Sequence, residues 1–225
     1  VVSNPVSFQT GKLAQQAGGA VTLRLGDTQV FASATMSKSP RDGINFFPLS
    51  VDLEERMYAA GKIPGGFFRR EGRPSENAIL TARLTDRPLR PLFPKDMRND
   101  VQVIMYSLSV DDINPLDILA INAASAAVHI SNIPWAGPVA AVRIGRVNGE
   151  FIVNPTYEEL EESDLDLRVA GTKEALLMVE AGADQVDEDA MAEALQLAHT
   201  SMQPLIDVQE KMREDVGKPK SDYPS

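Results

Sequence analysis

The sequence predicts an α+β fold, a mixed β-sheet packed with α-helices. Strand-like segments are followed by helices and then by further strands and helices, without the strict alternation of a parallel α/β protein. The chain has 225 residues, of which 43% are hydrophobic, and this is enough to bury a sizeable core. Because no linker-like stretch precedes Gly217, we expect residues 1–216 to form one core domain.

The first quarter of the chain predicts three strands. Residues 20–25 alternate apolar with smaller or polar side chains, a turn follows at 26–28, and strand-like residues resume over 29–36, which is typical of a hairpin. Residues 45–53 are rich in Phe, Leu and Val and indicate a third strand. This strand leads into a loop that is rich in Gly and Arg.

The predicted loop, residues 59–72, is expected to be exposed and mobile, and it brings two aromatic side chains next to cations. Gly and Pro residues precede Phe67 and Phe68, which are followed by Arg69, Arg70 and, three residues on, Arg73. Rings on which bases stack, beside guanidinium groups that bind phosphate, suit a single-stranded nucleic acid. A Phe pair at a strand start can also be a buried core anchor, and the residue pattern leaves both interpretations open.

A helix is predicted directly after this loop. Ser75 is a good N-cap, and Glu76 lies at the positive end of the helix dipole. Pro88 and Pro91 predict the end of the regular helix, since proline lacks the N–H and clashes with the preceding turn.

Three arginines at spacings of four and three are predicted to share one face of this helix: Arg83, Arg87 and Arg90. Leu80 and Leu84 fall on a neighbouring stripe, which we expect to be buried. The basic ridge suits phosphate binding. The alternative is a set of surface arginines paired with Asp86 or other acids.

The second half predicts five further strands, at 101–110, 138–147, 150–153, 165–170 and 175–181. It also predicts a helix at 115–130 and a last long amphipathic helix that Asp187 caps. Asn148-Gly149 is a strong hairpin signal, and Thr156 with Glu159 forms a capping box. Asn114-Pro115 is expected to cap helix 115–130 with Pro at its first position, and the alanines of this helix imply close packing on a sheet. Its His129 is expected to be a core or cap histidine with satisfied hydrogen bonds. Pro204 is expected to kink the last helix.

Charge is distributed unevenly along the chain, whose net charge is −10. Residues 56–98 carry ten Lys or Arg against four acids, a net +6, whereas residues 150–215 carry 18 acids against four bases, a net −14. One basic segment in an acidic body is expected if a polyanion binds at one place and is repelled elsewhere. Two ordinary solvated faces would give the same counts.

Composition excludes several classes of protein. The chain has no Cys, so it contains neither disulfides nor a thiolate metal site, which suits the reducing cytoplasm. Its most apolar run, 118–130, is too short to span a bilayer, and the N-terminus has no basic region followed by an apolar one. We therefore expect neither membrane insertion nor export.

Two further runs identify a family. The residues Ile-Pro-Gly-Gly-Phe-Phe-Arg-Arg-Glu-Gly-Arg-Pro-Ser-Glu end at Glu76, and Leu-Thr-Ala-Arg-Leu-Thr-Asp-Arg-Pro-Leu-Arg-Pro-Leu-Phe-Pro spans 80–94. Both closely resemble the first ribonuclease-PH-like core of bacterial polynucleotide phosphorylases (polyribonucleotide nucleotidyltransferases). The resemblance extends along nearly the whole chain. It implies the ribonuclease PH fold, with residues 217–225 starting a linker to the family's helical segment.

The resemblance also implies an activity, the 3′-to-5′ phosphorolysis of RNA in mRNA degradation. Its expected partners are single-stranded RNA, inorganic phosphate, two further protomers of a homotrimer and other RNA-degradation proteins. Mg²⁺ is the cofactor expected for the full-length enzyme. The family usually adds KH and cold-shock-like modules, neither of which is present in this sequence.

This chain departs from the family's catalytic pattern at both expected places. The catalytic core of the family has a Ser-rich or Gly-Thr-Arg turn at the small-residue helix, but this helix opens with Asn114-Pro115-Leu116-Asp117. Of the family's two metal-binding aspartates the second matches Asp166, the first falls at Leu160, and the Lys that follows matches Arg168. One carboxylate beside an arginine is a poor Mg²⁺ site, and Asp166 is more simply a partner of Arg168 or a turn acceptor.

We therefore expect neither catalytic residues nor metal ligands in this segment. The resemblance implies a degenerate first core that threads RNA and supports the trimer. The RNA-binding residues are expected to be Phe67, Phe68, Arg69, Arg70, Arg73, Arg83, Arg87 and Arg90. The alternatives are a stand-alone non-catalytic ring subunit and an acidic protein-interaction domain that uses the basic loop for docking.

Overall fold

The computed structural model describes residues 5–65 and 71–223, which form two β-sheets and the helices packed on them. The strands are β1 (Ser7–Thr10), β2 (Gly19–Leu25), β3 (Thr28–Pro40), β4 (Leu49–Glu54), β5 (Asn99–Ser109), β6 (Ala140–Val147), β7 (Glu150–Val153), β8 (Leu165–Gly171) and β9 (Leu176–Ala183). The helices are α1 (Glu76–Leu89), α2 (Leu116–Ile130), α3 (Tyr157–Glu161) and α4 (Glu188–Val216). Short 3₁₀ turns lie at Met57–Ala60 and Arg90–Leu92.

The two sheets have different topologies. The first has the order β1-β2-β3-β5-β4, with only the β4–β5 pair parallel. The second has the order β7-β6-β8-β9 and is antiparallel throughout. The predicted α+β class is therefore confirmed, although the strands form two sheets rather than one.

Helix α2 is the centre of the core. Every residue from Ile118 to Ile130 is buried, because the helix packs against the first sheet, β6 and α4. The predicted close packing of its alanines is confirmed. At Gly19, at the start of β2, a Cβ atom would lie only 2.1 Å from the carbonyl oxygen of Ala127, so this approach requires glycine.

Polar side chains join α2 and α4 to the edge of β6. Asn122 pairs with both backbone groups of Ala141, accepting from its N–H at 3.0 Å and donating to its carbonyl at 2.9 Å. Ser125 Oγ accepts from Val139 N–H at 2.9 Å, and Gln209 donates to the Val139 carbonyl at 2.9 Å. The partner strand β7 pairs only with residues 144–147. These side chains therefore satisfy buried backbone groups that no strand reaches.

The local signals at helix and hairpin ends are confirmed. Ser75 Oγ accepts from Ala78 N–H at 3.0 Å, and Thr156 with Glu159 forms the predicted capping box. The turn at Asn148-Gly149 has positive φ at both residues, as this hairpin type requires. Asp187 likewise caps α4.

Several element boundaries differ from the prediction, and three of the differences lie next to a proline. The third strand begins at Leu49 rather than at residue 45, directly after Pro48, which has no N–H to donate. Helix α1 continues through Pro88 to Leu89, since a proline in the last turn removes only one helical hydrogen bond. Helix α2 begins at Leu116, so Pro115 occupies the N-cap position and makes no side-chain cap. Helix α4 is assigned as one helix that includes Pro204.

The prediction that His129 lies in the core is confirmed, but the prediction that its ring is satisfied by hydrogen bonds was wrong. The ring is buried against the edge of Trp135, with centroids 6.2 Å apart, and neither ring nitrogen has a hydrogen-bond partner among the described residues. Cations surround this end of α2, because Arg213 and Lys220 both donate to the His129 carbonyl. Burial, and then the charges of Arg213 and Lys220, lower the pKa of His129 to about 4.

Within the described residues, no helix combines the length and hydropathy needed to cross a bilayer.

We predict that His129 makes the fold less stable in mild acid. Between pH 6.5 and about 4 the unfolded chain binds a proton at this histidine and the folded chain does not. The free energy of unfolding therefore falls as pH falls through this window, by on the order of 3 kcal/mol in total. Urea unfolding of His129→Gln from pH 7.5 to 4 should give a flatter curve than the unsubstituted chain. His199→Gln on α4 is the control, and equal flattening by both variants would contradict the assignment.

Candidate nucleic-acid interface

The predicted RNA-binding loop connects β4 to α1, and its two ends are held close together. At one end Val110 N–H donates to the Ala59 carbonyl at 2.9 Å, so Ala59 is buried rather than exposed as expected. At the other end Glu71 accepts a hydrogen bond from Met57 N–H at 2.5 Å. Arg73 follows and is exposed. Four of the predicted RNA contacts, Phe67, Phe68, Arg69 and Arg70, lie outside the described residues.

One face of α1 carries arginines to the surface. Arg83 and Arg87 are exposed, and Leu84 is buried as predicted. Leu80 was wrongly placed on the buried stripe, because its side chain is 62% exposed. At 3.6 residues per turn, positions 80 and 87 differ by only about 20° around the helix, so Leu80 shares the face of Arg87.

Arg90 is the residue directly after α1, and its guanidinium lies beside the first sheet. Its guanidinium binds both oxygens of Asp86 at 2.7 and 2.9 Å and reaches the carbonyls of Phe47 and Leu49 beside the first sheet. Arg87 instead binds Glu180 on β9 of the second sheet, at 3.0 Å. The structure therefore brings together Arg83 and Arg87 but not Arg90, and the pairs Arg90–Asp86 and Arg87–Glu180 are those of the alternative interpretation, in which surface arginines pair with Asp86 or other acids.

An open cleft of about 740 Å³ separates α1 from the second sheet. Arginines line it from both sides, Arg83 and Arg87 on α1, and Arg143 and Arg168 on β6 and β8. Its remaining walls include the carboxylates of Glu55, Asp117 and Glu180 and the ring of Tyr157. The cleft is therefore a mixed charged surface rather than a purely basic one.

A ladder of ion pairs occupies the floor of this cleft. Arg143, whose side chain is 9% exposed, binds both oxygens of Asp166 at 2.6 and 2.8 Å and reaches Asp117 at 3.3 Å. Arg168 binds Asp117 at 2.6 Å and Asp166 at 3.2 Å, and lies 4.0 Å from Glu180. Cations and carboxylates thus alternate from α2 through β6 and β8 to β9. This arrangement neutralises most of the charge within the protein itself.

The electrostatics of the ladder favour its charged form. Burial would raise the pKa of Asp166, but hydrogen bonds and charge from Arg143, with the charge of Arg168, hold it below its usual value. Burial would lower the pKa of Arg143, but Asp166 and Asp117 raise it. Burial and the charge of Asp117 also raise the pKa of Tyr157. Asp166 therefore remains ionised and bound to guanidinium groups.

These residues do not fit a divalent cation. Mg²⁺ needs several free oxygen ligands, and both oxygens of Asp166 face the donors of Arg143. Among the described residues, no cluster of three or more acids and histidines could hold a metal.

The start of α2 is equally unsuited to a phosphate group. Asp117 lies in the first turn of the helix, and its carboxylate accepts a hydrogen bond from Ile118 N–H at 2.8 Å. A negative charge at this position repels an anion from the helix end that would otherwise attract one.

Sequence reasoning found Asp166 and Arg168 but missed their main partners, Arg143 and Asp117. A signal was present, since Arg143 lies inside the apolar predicted strand 138–147. A charge buried at such a position needs a partner. The identity of that partner, 23 residues away on another strand, depends on the register of β6 against β8.

Comparison with known proteins identifies the folds and sequences that this chain resembles. The family described as "3' exoribonuclease family, domain 1" matches residues 3–134, and "3' exoribonuclease family, domain 2" matches residues 137–201. Among solved structures, rice Rrp46 aligns with a TM-score of 0.75 at 17% identity, covering 94% of this chain and 96% of that one. A chain of the Archaeoglobus fulgidus exosome "with RNA bound to the active site" gives 0.70 at 20% identity, covering 93% and 88%. At such identities these structures establish the fold.

Curated relatives are closer in sequence. The polyribonucleotide nucleotidyltransferase of Thermus thermophilus is 56% identical over 220 residues, which are 98% of this chain and 31% of that protein. The polyribonucleotide nucleotidyltransferase of Heliobacterium modesticaldum is 54% identical over 224 of this chain's 225 residues, which are 32% of that protein. The chain thus spans about a third of the length of these relatives.

We predict that Arg143→Met destabilises the fold by about 3 kcal/mol, because it removes the more buried of the two arginines that bind Asp117 and Asp166 and leaves Arg168 as their one arginine partner among the described residues. Urea unfolding measures the loss. Arg146→Met is the matched control on the same strand, since the one ion pair of Arg146 among the described residues is with Asp164, at 3.6 Å, and its loss should cost less. The double variant Arg143→Met with Asp166→Asn should recover part of the stability. Equal losses for Arg143→Met and Arg146→Met would contradict the importance of the ladder.

Proposed function

This chain belongs to the 3′ exoribonuclease family, and we propose that it is the first ribonuclease-PH-like core of a phosphorolytic enzyme of the kind its relatives are named for, polyribonucleotide nucleotidyltransferase. The ribonuclease PH fold expected from the sequence is confirmed. In the proposed reaction, inorganic phosphate attacks the phosphorus of the last phosphodiester of RNA. The bond to the preceding ribose 3′ oxygen breaks, and a nucleoside diphosphate leaves. This core contributes RNA binding rather than chemistry.

The proposal that this core is not catalytic rests on one observation. Arg143 binds both carboxylate oxygens of Asp166 through two hydrogen bonds. Phosphorolysis needs groups that position two anions and neutralise the charge that develops between them. Here the corresponding cations already bind the protein's own carboxylates. The phosphate and Mg²⁺ sites are therefore proposed to lie in a second core elsewhere in the full-length protein.

The RNA-binding part of the proposal rests on the distribution of free cations. Among the described residues, Arg73 and Arg83 are exposed and form no ion pair, and Arg87 pairs with Glu180 only at the surface. Exposed arginines of this kind can exchange a surface pair for an RNA phosphate at little cost. The proposed RNA contacts also include four residues that rest on the sequence alone: Phe67, Phe68, Arg69 and Arg70. Arg90 is its weakest member, because its donors are already used.

The wider setting follows from the same family membership. We propose that three copies of the full-length protein assemble into a ring in which single-stranded RNA is threaded past these residues, in mRNA degradation in the cytoplasm. Other RNA-degradation proteins are expected as partners. The name of the Archaeoglobus exosome chain, with RNA bound to its active site, supports RNA as the ligand of this fold.

We predict that the 225-residue chain has little or no phosphorolytic activity, because Asp166 and the start of α2 offer neither a metal site nor a phosphate site. The assay measures nucleoside diphosphate released from poly(A) with phosphate and Mg²⁺, with the full-length protein as the positive control. Turnover by the chain at a rate comparable to the full-length protein would overturn the proposal and make Asp164 and Asp166 candidate metal ligands.

We predict two separable effects on RNA binding by the full-length protein. Replacing Arg73, Arg83 or Arg87 by Ala should weaken binding whatever the RNA sequence, and should make log K less steep in log salt by roughly 0.7 for each phosphate group that the variant no longer binds. Replacing Phe67 or Phe68 by Ala should cost about 1 to 3 kcal/mol of binding with little change in that slope, as expected when a base no longer stacks on the ring. Filter binding or fluorescence anisotropy over a range of salt concentrations measures both.

Matched arginines make this test specific. Arg24→Ala removes an exposed, ion-paired arginine of β2 outside the basic segment, and should leave the salt slope unchanged. Arg90→Ala should change the slope least among the proposed contacts. If none of the interface variants alters affinity or slope relative to Arg24→Ala, the basic segment is structural and the protein-interaction alternative gains support.

A further inference from the structure

Glu71 closes the base of the predicted RNA-binding loop. One oxygen of its carboxylate accepts from Met57 N–H at 2.5 Å, and the other lies 3.5 Å from the Arg56 guanidinium. The side chain is 24% exposed. Because these partners precede Glu71 by 14 and 15 residues, this one side chain joins the two ends of the loop.

The partners of Glu71 are themselves fixed to the first sheet. Arg56 N–H donates to Ser107 Oγ on β5 at 3.3 Å, and its guanidinium lies 5.9 Å from the centre of the Tyr106 ring and pairs with Glu54. Strand β5 is an interior strand, between β3 and β4. Glu71 is therefore bound to residues that are themselves held by an interior strand of the first sheet.

A second anchor follows Glu71 within four residues. The Ser75 hydroxyl donates to the Glu55 carboxylate, and Ser75 Oγ also caps α1 by accepting from Ala78 N–H. Arg73 lies midway between Glu71 and Ser75. Two residues of backbone span at most about 7 Å, so each anchor restricts where the Arg73 backbone can lie.

By charge alone, Glu71 should oppose RNA binding, since a carboxylate near phosphate groups is repulsive. We propose that Glu71 is nevertheless a positioning residue for RNA, which holds Arg73 in place to bind a phosphate. This inference rests on the proposed function. An arginine whose backbone is already held in place loses less conformational entropy on binding than one in a mobile segment, so the anchor strengthens binding without touching RNA.

Whether Glu71→Ala weakens or strengthens RNA binding tests this proposal. In the full-length protein, Glu71→Ala should weaken single-stranded RNA binding severalfold and reduce the salt slope toward that of Arg73→Ala, by roughly 0.7. Glu71→Gln keeps an oxygen acceptor for Met57 N–H and should retain more affinity. Glu76→Gln is the charge-matched control, because Glu76 lies nearby and has no side-chain hydrogen bond or ion pair among the described residues. It should bind RNA as well as the unsubstituted protein or slightly better.

A double variant and a stability measurement complete the test. If Glu71 acts through Arg73, adding Glu71→Ala to Arg73→Ala should cause no further loss of affinity, and the thermal midpoint of Glu71→Ala should stay well above the temperature of the binding assay. Tighter or unchanged RNA binding by Glu71→Ala, with Arg73→Ala still weakening it, would overturn the positioning role and leave the proposed function intact. If the Arg73, Arg83 and Arg87 variants are all silent, the proposed function itself fails.

Discussion

The close contact of α2 with both sheets is the constraint on which the rest of the structure depends. A helix that is buried along its length can approach strands this closely only where side chains are small, and Gly19 leaves room for the Ala127 carbonyl. Polar side chains at Asn122 and Ser125 then satisfy the β6 backbone that faces the helix. Core packing and hydrogen bonding thus fix the position of the second sheet, and with it the cleft beneath α1.

The ion-pair ladder is a direct consequence of that placement. Asp117, at the start of α2, meets Arg143 and Arg168 because α2 lies against β6. Coulomb attraction between these largely buried groups is strong, and an ionised Asp166 bound to Arg143 has little to gain from a metal. The same geometry that stabilises the fold therefore occupies both oxygens of Asp166. Basic residues remain available at Arg73, Arg83 and Arg87, where the surface is open.

The sequence predicted what short-range chemistry determines. The caps at Ser75, Thr156 and Asp187 and the turn at Asn148-Gly149 depend on neighbours within a few residues, and all are confirmed. Tertiary contacts were harder to predict from the sequence. The absence of a partner for His129 among the described residues depends on which elements pack nearby, and the role of Arg143 depends on strand register. The exposure of Leu80, in contrast, follows from its position on the helix face of Arg87. For Phe67, Phe68, Arg69 and Arg70 the sequence and the family resemblance remain the basis of the assignment.

The most direct test of whether this core binds RNA without a metal site is a crystal structure of the full-length protein with single-stranded RNA, phosphate and Mn²⁺. Mn²⁺ replaces Mg²⁺ because its anomalous scattering locates it. A non-catalytic, RNA-binding first core predicts that Asp166 keeps both hydrogen bonds to Arg143 with no Mn²⁺ signal beside it, and that RNA phosphates contact Arg73 and the Arg83–Arg87 face of α1. Mn²⁺ bound by Asp166, with phosphate at the start of α2, would contradict it.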